Sequence, residues 1–294
     1  MSASTKIVRL LAGALLVVVV LAAASIPLRS WARTWGATEA ELQRALPGDE
    51  LIARTPTDGT HGATIGAPPE AVWPWIAQIG DVRGGFYSYT FIENLLQGED
   101  LYHNADSLLP QFQDPQPGDG MVMDSLRVHD VEPGKWLLAA QSSDKGGYDW
   151  VWLWHLEPAG AGQTRLLVRM AQRLSLGPSN PVVSTLIDLG AFVMGRRMVE
   201  GIALRAEGRT EPAAIELVEI LLWAAALLAG LGAAALFVTR PAWPAPLLLG
   251  LAALLALIWL TFWQPPVWLR LALDAVLFAL LWWVARSTRR PARA

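Results

Sequence analysis

Polar side chains of the kinds used in acid–base catalysis cluster between residues 87 and 106. The set comprises Tyr87, Tyr89, Glu93, Asn94, His103, Asn104 and Asp106. His103 could titrate near neutral pH with Asp106 orienting its ring, and with Tyr87 the pair could serve a cyclase or dehydratase. Alternatively, the cluster is a hydrogen-bonded network that fixes the long irregular loop 98–116, because buried polar groups need partners. The residue types leave both interpretations open, so the catalytic set stays undefined.

Several other chemistries lack the residues they need. The chain has no cysteine, which excludes thiolate metal sites and cysteine nucleophiles. No serine lies in a G-x-S-x-G elbow, and the four histidines do not have H-E-x-x-H spacing. His103, Asp106 and His129 are ligand types, but their spacing gives a metal site no support. We therefore expect neither a metal nor a cofactor.

Three tryptophans alternate along one predicted strand. Trp150, Trp152 and Trp154 are each two residues apart, so their rings share one face. Indoles on one face can form the wall of a ligand site or pack against a helix as ordinary core. Gly190 and Gly195, in an apolar helical segment, would leave room for a ligand or let the helix approach the sheet. The predicted ligand-binding residues are Trp150, Trp152, Trp154, Tyr87, Tyr89, Glu93, Asn94, Gly190 and Met194.

The elements that would position these residues follow an α+β order. A capping box at Thr38–Glu41 begins a short helix to about residue 46, a strand is predicted at 61–65, and helices at 68–79 and 89–97. Strands follow at 120–125, 126–131, 135–141, 148–157 and 164–173, joined by glycine turns that are typical of an antiparallel meander. A long helix from Pro181 to about Glu207 ends this part of the chain. We expect the curved sheet to grip this helix.

Both this order and several strings resemble the START/polyketide-cyclase-like (SRPBCC) superfamily, in particular its membrane-tethered bacterial members. The strings are PPEAVWPWIAQIG at 68–80, GFYSY at 85–89 with Glu93-Asn94 just after, HNAD at 103–106, Gly118-Asp119, and TRLLVR at 164–169. The resemblance covers about residues 61–209. It implies a helix-grip fold with a deep apolar cavity between the sheet and the last helix. Since members include lipid carriers, hormone or allergen-type binders and enzymes, it does not fix the function.

Four apolar runs are long enough to span a bilayer. They are 7–27, about 218–238, 245–263 and 268–284, each close to the ~20 residues that cross a ~30 Å hydrocarbon core as a helix. Asp274 in the last run would be costly against lipid. It could belong to a proton or ion relay or pair with Arg270 one turn away. We favour the pair, because we count no second acidic residue in a span.

Basic residues indicate how the spans are oriented. Both ends of the chain carry them, at Lys6, Arg9, Arg286, Arg289, Arg290 and Arg293. Because cytoplasmic segments are rich in Lys and Arg, both ends should be inside and the middle domain outside, although Arg29 and Arg33 oppose this. The alternative for the first run is a cleaved signal peptide, which would also export the domain. We expect a span at 1–29, a ligand-binding domain at 30–211, and three spans with a basic tail at 215–294.

Charge and composition narrow the partners. Residues 30–216 hold 14 Lys and Arg against 24 Asp and Glu, a net charge of −10, so nucleic acid is not an expected partner. Three functions stay open. The first is a cell-membrane protein that binds an apolar small molecule or lipid; the second is the enzyme described above; the third is a partner-binding or sensory protein without a ligand. The oligomeric state is not indicated.

Overall fold

Six strands pair into one antiparallel sheet, and the predicted glycine turns separate most of them. They are β1 (Gly59–Ile65), β2 (Gly120–Val122), β3 (Leu126–Glu132), β4 (Trp136–Ser142), β5 (Tyr148–Pro158) and β6 (Thr164–Gln172). The order across the sheet is β1-β6-β5-β4-β3-β2, so the last five strands form the predicted meander and β1 pairs with β6. The register places Trp152 between Ala139 of β4 and Met170 of β6.

Eight helices complete the part of the chain that the computed structural model describes, namely residues 1–53, 58–97, 103–123, 125–173, 181–209, 211–212 and 214–288. They are α1 (Ala3–Arg33), α2 (Glu39–Gln43), α3 (Pro69–Ala77), α4 (Thr90–Gln97), α5 (Pro181–Ala206), α6 (Ile215–Thr239), α7 (Pro244–Trp263) and α8 (Val267–Ser287), with a short 3₁₀ helix at Pro110–Phe112. The chain divides into one unit of Pro27–Glu211 and another of Met1–Ile26 with Pro212–Ala294. The predicted α+β class is confirmed.

The two faces of the sheet carry separate apolar cores. On the inner face, Val199 and Ile202 of α5 pack with Trp154 and with the buried residues of α3. On the outer face, Leu138, Val151, Leu153 and Leu167 pack with Leu46 and Ile52 from the segment after α2. Since successive residues of a strand point to opposite faces, β5 contributes its tryptophans to one core and Val151 and Leu153 to the other.

The predicted capping box begins α2 and also ties this helix to the sheet. The Thr38 hydroxyl accepts a hydrogen bond from the Glu41 backbone N–H at 3.3 Å, and the Thr38 N–H donates to the Glu41 carboxylate at 2.7 Å. That carboxylate also accepts two bonds from Arg165 of β6, each 2.7 Å long. The Arg165 guanidinium holds the pKa of Glu41 down at about 2. The cap is therefore anchored in tertiary structure.

α1 continues beyond the first apolar run. The run ends at Pro27, but the helix extends to Arg33 with Pro27 inside it. Leu28 and Ala32 are buried in the same unit as the sheet. The last turns of this helix are therefore part of the domain, which the sequence pattern did not indicate.

Four of the described helices are long and apolar enough to cross a membrane: α1, α6, α7 and α8. These lengths and compositions indicate a membrane protein. Within this unit, small residues allow close helix packing, as where a Cβ built on Gly230 of α6 would lie 3.4 Å from the Ala253 Cβ of α7. Arg9 of α1 donates to the backbone oxygens of Phe237 at 3.1 Å and Arg240 at 2.6 Å, satisfying carbonyls at the end of α6.

The expected pairing of Asp274 with Arg270 is wrong. Arg270 forms an ion pair with Glu219 of α6 at 3.0 Å and donates to the Pro265 oxygen at 2.6 Å. Helical side chains lean toward the N-terminus of their helix, so Arg270 extends away from Asp274. Glu219 of α6 is also an acidic residue within a candidate span, contrary to the expectation that Asp274 has no acidic counterpart. Neither carboxylate oxygen of Asp274 has a hydrogen-bond partner among the described residues.

Candidate functional site: a cavity between the sheet and the last domain helix

A cavity of about 390 Å³ lies between the inner face of the sheet and α5. Its walls come from four parts of the domain: the end of α1, the segment 86–93, the sheet and one side of α5. The lining residues are Arg29, Ala32, Arg33, Gly59, His61, Phe86, Ser88, Glu93, Val122, Trp150, Trp152, Val168, Met170, Gln172, Ile187, Asp188, Ala191, Phe192, Met194, Gly195 and Met198. Most are apolar, and the polar ones lie in a few discrete places.

Stacked aromatic rings form one wall. The rings of Trp150 and Trp152 lie 5.8 Å apart with planes inclined by 17°, and Phe86 stacks on Trp152 at 6.2 Å. Trp154 lies 4.4 Å from Trp152 but is fully buried in the core and does not line the cavity. The strand period thus places all three tryptophans on one face, with two at the cavity and the third supporting them.

An ion cluster occupies the partly exposed end of the cavity. Arg29 of α1 contacts the Oδ2 atom of Asp188 on α5 through Nε at 2.7 Å and Nη2 at 2.6 Å. Arg33, one helical turn later, contacts the same oxygen through Nη2 at 2.9 Å. The three side chains are 28%, 21% and 35% exposed, respectively. Two cations therefore share one carboxylate at this end.

His61 is the titratable group set deepest in the wall. Its Nε2 lies 2.8 Å from the Ala32 backbone oxygen, and since a carbonyl only accepts, this nitrogen carries the proton of the neutral ring. The Nδ1 atom is then an acceptor on the side of Gly195, whose Cβ position would lie 3.8 Å away. Burial lowers the pKa of His61 to about 4. The ring is therefore neutral at physiological pH.

The polar cluster from residue 87 to 106 is organised around Asn104. Its side chain accepts a bond from the Tyr87 N–H at 2.6 Å and donates to the Ser88 oxygen at 2.7 Å. Arg205 of α5 donates to the Ala105 oxygen at 2.8 Å. These bonds hold the described part of the loop against α5, which agrees with the structural interpretation of the cluster.

The three candidate catalytic residues lie outside the cavity lining, and Arg205 contacts two of them, with its Cζ 4.8 Å from the centre of the Tyr87 ring and its Nη2 paired with Asp106. Tyr87 is buried, donates its hydroxyl to the Trp75 oxygen at 3.0 Å, and has a pKa raised by burial. Asp106 is 92% exposed and pairs with Arg205 at 3.2 Å. The His103 ring is exposed. None of the three lines the cavity.

The predicted ligand-binding residues divide between the cavity and its surroundings. Trp150, Trp152, Glu93 and Met194 line it. Trp154, Tyr87 and Tyr89 are buried outside the lining, and Asn94 is half-buried on α4.

Gly190 is exposed, and a Cβ added to it would have nothing within 4 Å. Gly195, by contrast, lines the cavity. Five residues turn an α-helix by about 500°, so Gly190 and Gly195 lie on different faces of α5.

Sequence reasoning missed the residues that α1 contributes. Arg29, Ala32 and Arg33 line the cavity, although Arg29 was assigned to the first span. Their spacing of three and four residues on one helix face was the available signal. His61 and Asp188 were also missed, because an isolated polar residue in a strand or helix gives no indication of what it faces.

Comparisons with known proteins identify no family for this chain. No family model matches its sequence, and no curated protein matches it. An X-ray structure of protein MLL2253 from Mesorhizobium loti is similar with a TM-score of 0.29 and 17% identity, over 52% of this chain and 99% of that one. A solution structure of the protein encoded by gene BPP1335 from Bordetella parapertussis has a TM-score of 0.30 and 15% identity, over 55% of this chain and 80% of that one. At these scores neither likeness adds to the description of the site.

Proposed function

We propose that this chain is a membrane-anchored binding protein that takes an apolar small molecule or lipid into the cavity between its sheet and α5. The cavity itself carries the proposal. Its 390 Å³ falls within the ~300–1,000 Å³ typical of small-molecule sites, and such sites combine apolar walls with a few placed polar groups. A well-packed core would leave few voids larger than a water molecule. The cavity thus favours a ligand over a protein without one.

The cavity favours binding over catalysis for a specific reason. Its polar residues do not include Tyr87, His103 or Asp106. An acid and a base must reach the same substrate to act on it. The long last helix against an antiparallel sheet fits the helix-grip arrangement of the START/polyketide-cyclase-like superfamily, which supports membership as part of this proposal.

The test is photolabelling of the full chain in phosphatidylcholine nanodiscs with a diazirine-bearing dodecanol. We expect labelled peptides from the cavity wall, including residues 150–152 and 194–198. Gly195→Leu should reduce this labelling at least about tenfold, because the new side chain occupies ligand space beside His61. Peptide mass spectrometry measures the labelling at each position.

Gly190→Leu is the matched control. It makes the same substitution in the same helix at an exposed position with open space, so labelling should not change. A folded wild-type protein whose cavity peptides are not labelled would overturn the proposed function. Equal loss of labelling in both variants would show that the substitution acts through the helix rather than through the cavity.

We further propose that the domain faces the outside of the cell membrane. The contact between Arg9 and the Arg240 oxygen supports this arrangement, because it brings the start of α1 and the end of α6 to the same side. Both regions carry basic residues, which favours the cytoplasm. Residues 27–211, which connect these two helices, would then lie outside.

Single cysteines can test this orientation because the chain has none of its own. Lys145→Cys lies in the exposed turn between β4 and β5, and Ala242→Cys lies in the exposed loop between α6 and α7. On intact cells a membrane-impermeant maleimide should label the first variant only. After permeabilisation it should label both. The reverse pattern on intact cells would contradict the proposed orientation.

A further inference from the structure

The charged residues of the cavity leave an excess of positive charge at one place. Arg29 and Arg33 contact a single carboxylate, and both contact the same oxygen, Asp188 Oδ2. The cluster therefore has a formal charge of +1. His61 adds no charge near neutral pH, because burial lowers its pKa to about 4. Glu93, the other acidic lining residue, lies on a different element, α4.

The same cluster has unused hydrogen-bond donors. An arginine has five N–H donors and no acceptor. Among the described residues, the guanidinium of Arg33 donates to Asp188 alone, and that of Arg29 does the same. The Arg33 Nε atom is buried without a partner in this part of the chain. Buried donors of a charged group that remain unpaired are costly, so an acceptor at this place would stabilise the domain.

The positions of the apolar and charged walls define the shape of a suitable ligand. The ion cluster is partly exposed, whereas the wall residues Val168 and Met198 are 4% and 2% exposed. The stacked rings of Phe86, Trp150 and Trp152 lie along the apolar part. A volume of 390 Å³ is near the lower end of the range for ligand sites, which favours one chain or a small ring system over a two-chain lipid.

We propose that the ligand is an anionic amphiphile with a single apolar body, whose acidic head group binds Arg33 and Arg29 while the body lies against Trp150 and Trp152. This inference rests on the proposed function and specifies its ligand class. A carboxylate or a phosphate monoester fits the guanidinium pair, since both accept two parallel N–H bonds. Asp188 holds the two arginines in place and competes with the head group for them.

Competition for the photolabelled cavity tests the head group. Four competitors are added to the full chain in phosphatidylcholine nanodiscs: dodecanoate, dodecyl phosphate, dodecanol and dodecylammonium. Their free concentrations are matched, after the amount that partitions into the lipid has been measured with empty discs. The two anionic competitors should displace the dodecanol photoprobe at concentrations at least about tenfold lower than dodecanol, and dodecylammonium should be the weakest. Inorganic phosphate alone should not displace it, because it lacks the apolar body.

Variants assign this preference to the arginines. In Arg33→Gln, dodecanoate should displace the probe only at the concentration that dodecanol needs, while the concentration of dodecanol needed should not change. Arg44→Gln, which removes a surface ion pair with Glu157, should change neither concentration. If no peptide of the cavity is labelled, the proposed function fails. If labelling occurs but all four competitors act equally, only the head-group inference is overturned. An anionic preference that persists in folded Arg33→Gln and Arg29→Gln would also overturn it, and the wild-type comparison remains decisive if a variant does not fold.

Discussion

Replacing Gly201 by alanine is expected to destabilise the domain by about 3 kcal/mol, in the upper part of the range for overpacking. Gly201 is buried in α5, and a Cβ at this position would lie 2.2 Å from the Tyr87 backbone oxygen and 2.8 Å from the Tyr87 Cβ. Tyr87 cannot move aside easily. Its N–H is bound by Asn104, its hydroxyl donates to Trp75, and its backbone has a φ of +56°.

Gly190→Ala in the same helix is expected to stabilise the domain, which is the opposite effect. Its Cβ would meet nothing within 4 Å, so only the helix propensity changes, by about 0.5–1 kcal/mol in favour of alanine. Infrared melting of the full chain in mild detergent separates the two cases. All the described strands lie in the domain, so the β-sheet band reports its unfolding and not that of the membrane helices. Equal melting temperatures for the two variants would contradict the close approach at Gly201.

The elements that could be predicted from the sequence are those with strong local signals. The meander followed from its glycine turns, as at Gly146 and Gly147, which both have positive φ angles. The four apolar runs predicted the helices that are long and apolar enough to cross a membrane, because a helix without a polar side has no face suited to water. The capping box at Thr38 was likewise predicted, since its two bonds join residues three apart.

Features that depend on tertiary contacts could not be predicted. The apolar run ends at Pro27, yet α1 continues because Leu28 and Ala32 are buried in the domain. No local pattern shows which element will cover a helix face. For the same reason the sequence did not show that Arg29 and Arg33 would meet Asp188, a residue more than 150 positions away in the chain.

The candidate site was predicted in part, for similar reasons. The period of two in β5 identified Trp150 and Trp152, because strand alternation is independent of the fold around it. Which of Gly190 and Gly195 faces the cavity depends on how α5 is rotated about its axis. The first half of this helix is apolar on nearly all sides, so its sequence does not indicate that rotation. The polar cluster was recognised as a unit, but the residue that organises it is Asn104 rather than His103.

Lowering the pH from 7 to 4.5 is expected to destabilise the domain through His61. Burial lowers the folded-state pKa of His61 to about 4, from 6.5 in the unfolded chain. Between these values the unfolded state binds more protons than the folded state, so stability falls as the pH falls, and the loss is complete below about pH 4. The pKa difference of 2.5 units corresponds to about 3 kcal/mol when the loss is complete, and about 2 kcal/mol of this is lost between pH 7 and 4.5. For a domain of this size that lowers the melting temperature by about 4–8 °C.

The neighbours of His61 give the direction of this effect. Its ring meets Phe192 and Trp35 edge-on at 5.6 and 6.1 Å, and Nε2 bonds the Ala32 oxygen. The cavity also holds the cations Arg29 and Arg33 with the carboxylates of Asp188 and Glu93. A second proton would place a charge on a buried ring whose Nδ1 has no hydrogen-bond partner among the residues that the structure describes. Desolvation is therefore the main cause, and the bond to Ala32 opposes it only in part.

His61→Gln isolates this contribution from the other titrating groups. Glutamine can still donate an N–H toward Ala32 but does not titrate, so this variant should be less stable at pH 7 and lose less stability on acidification. His155 also has a pKa lowered by burial, and Glu41, with a folded pKa of about 2, loses its contribution only as the pH falls below 4.5. Both are present in wild type and variant, so their effects cancel in the comparison. The measured quantity is the difference in infrared melting temperature between pH 7 and 4.5; the same difference in both proteins would exclude a buried neutral His61.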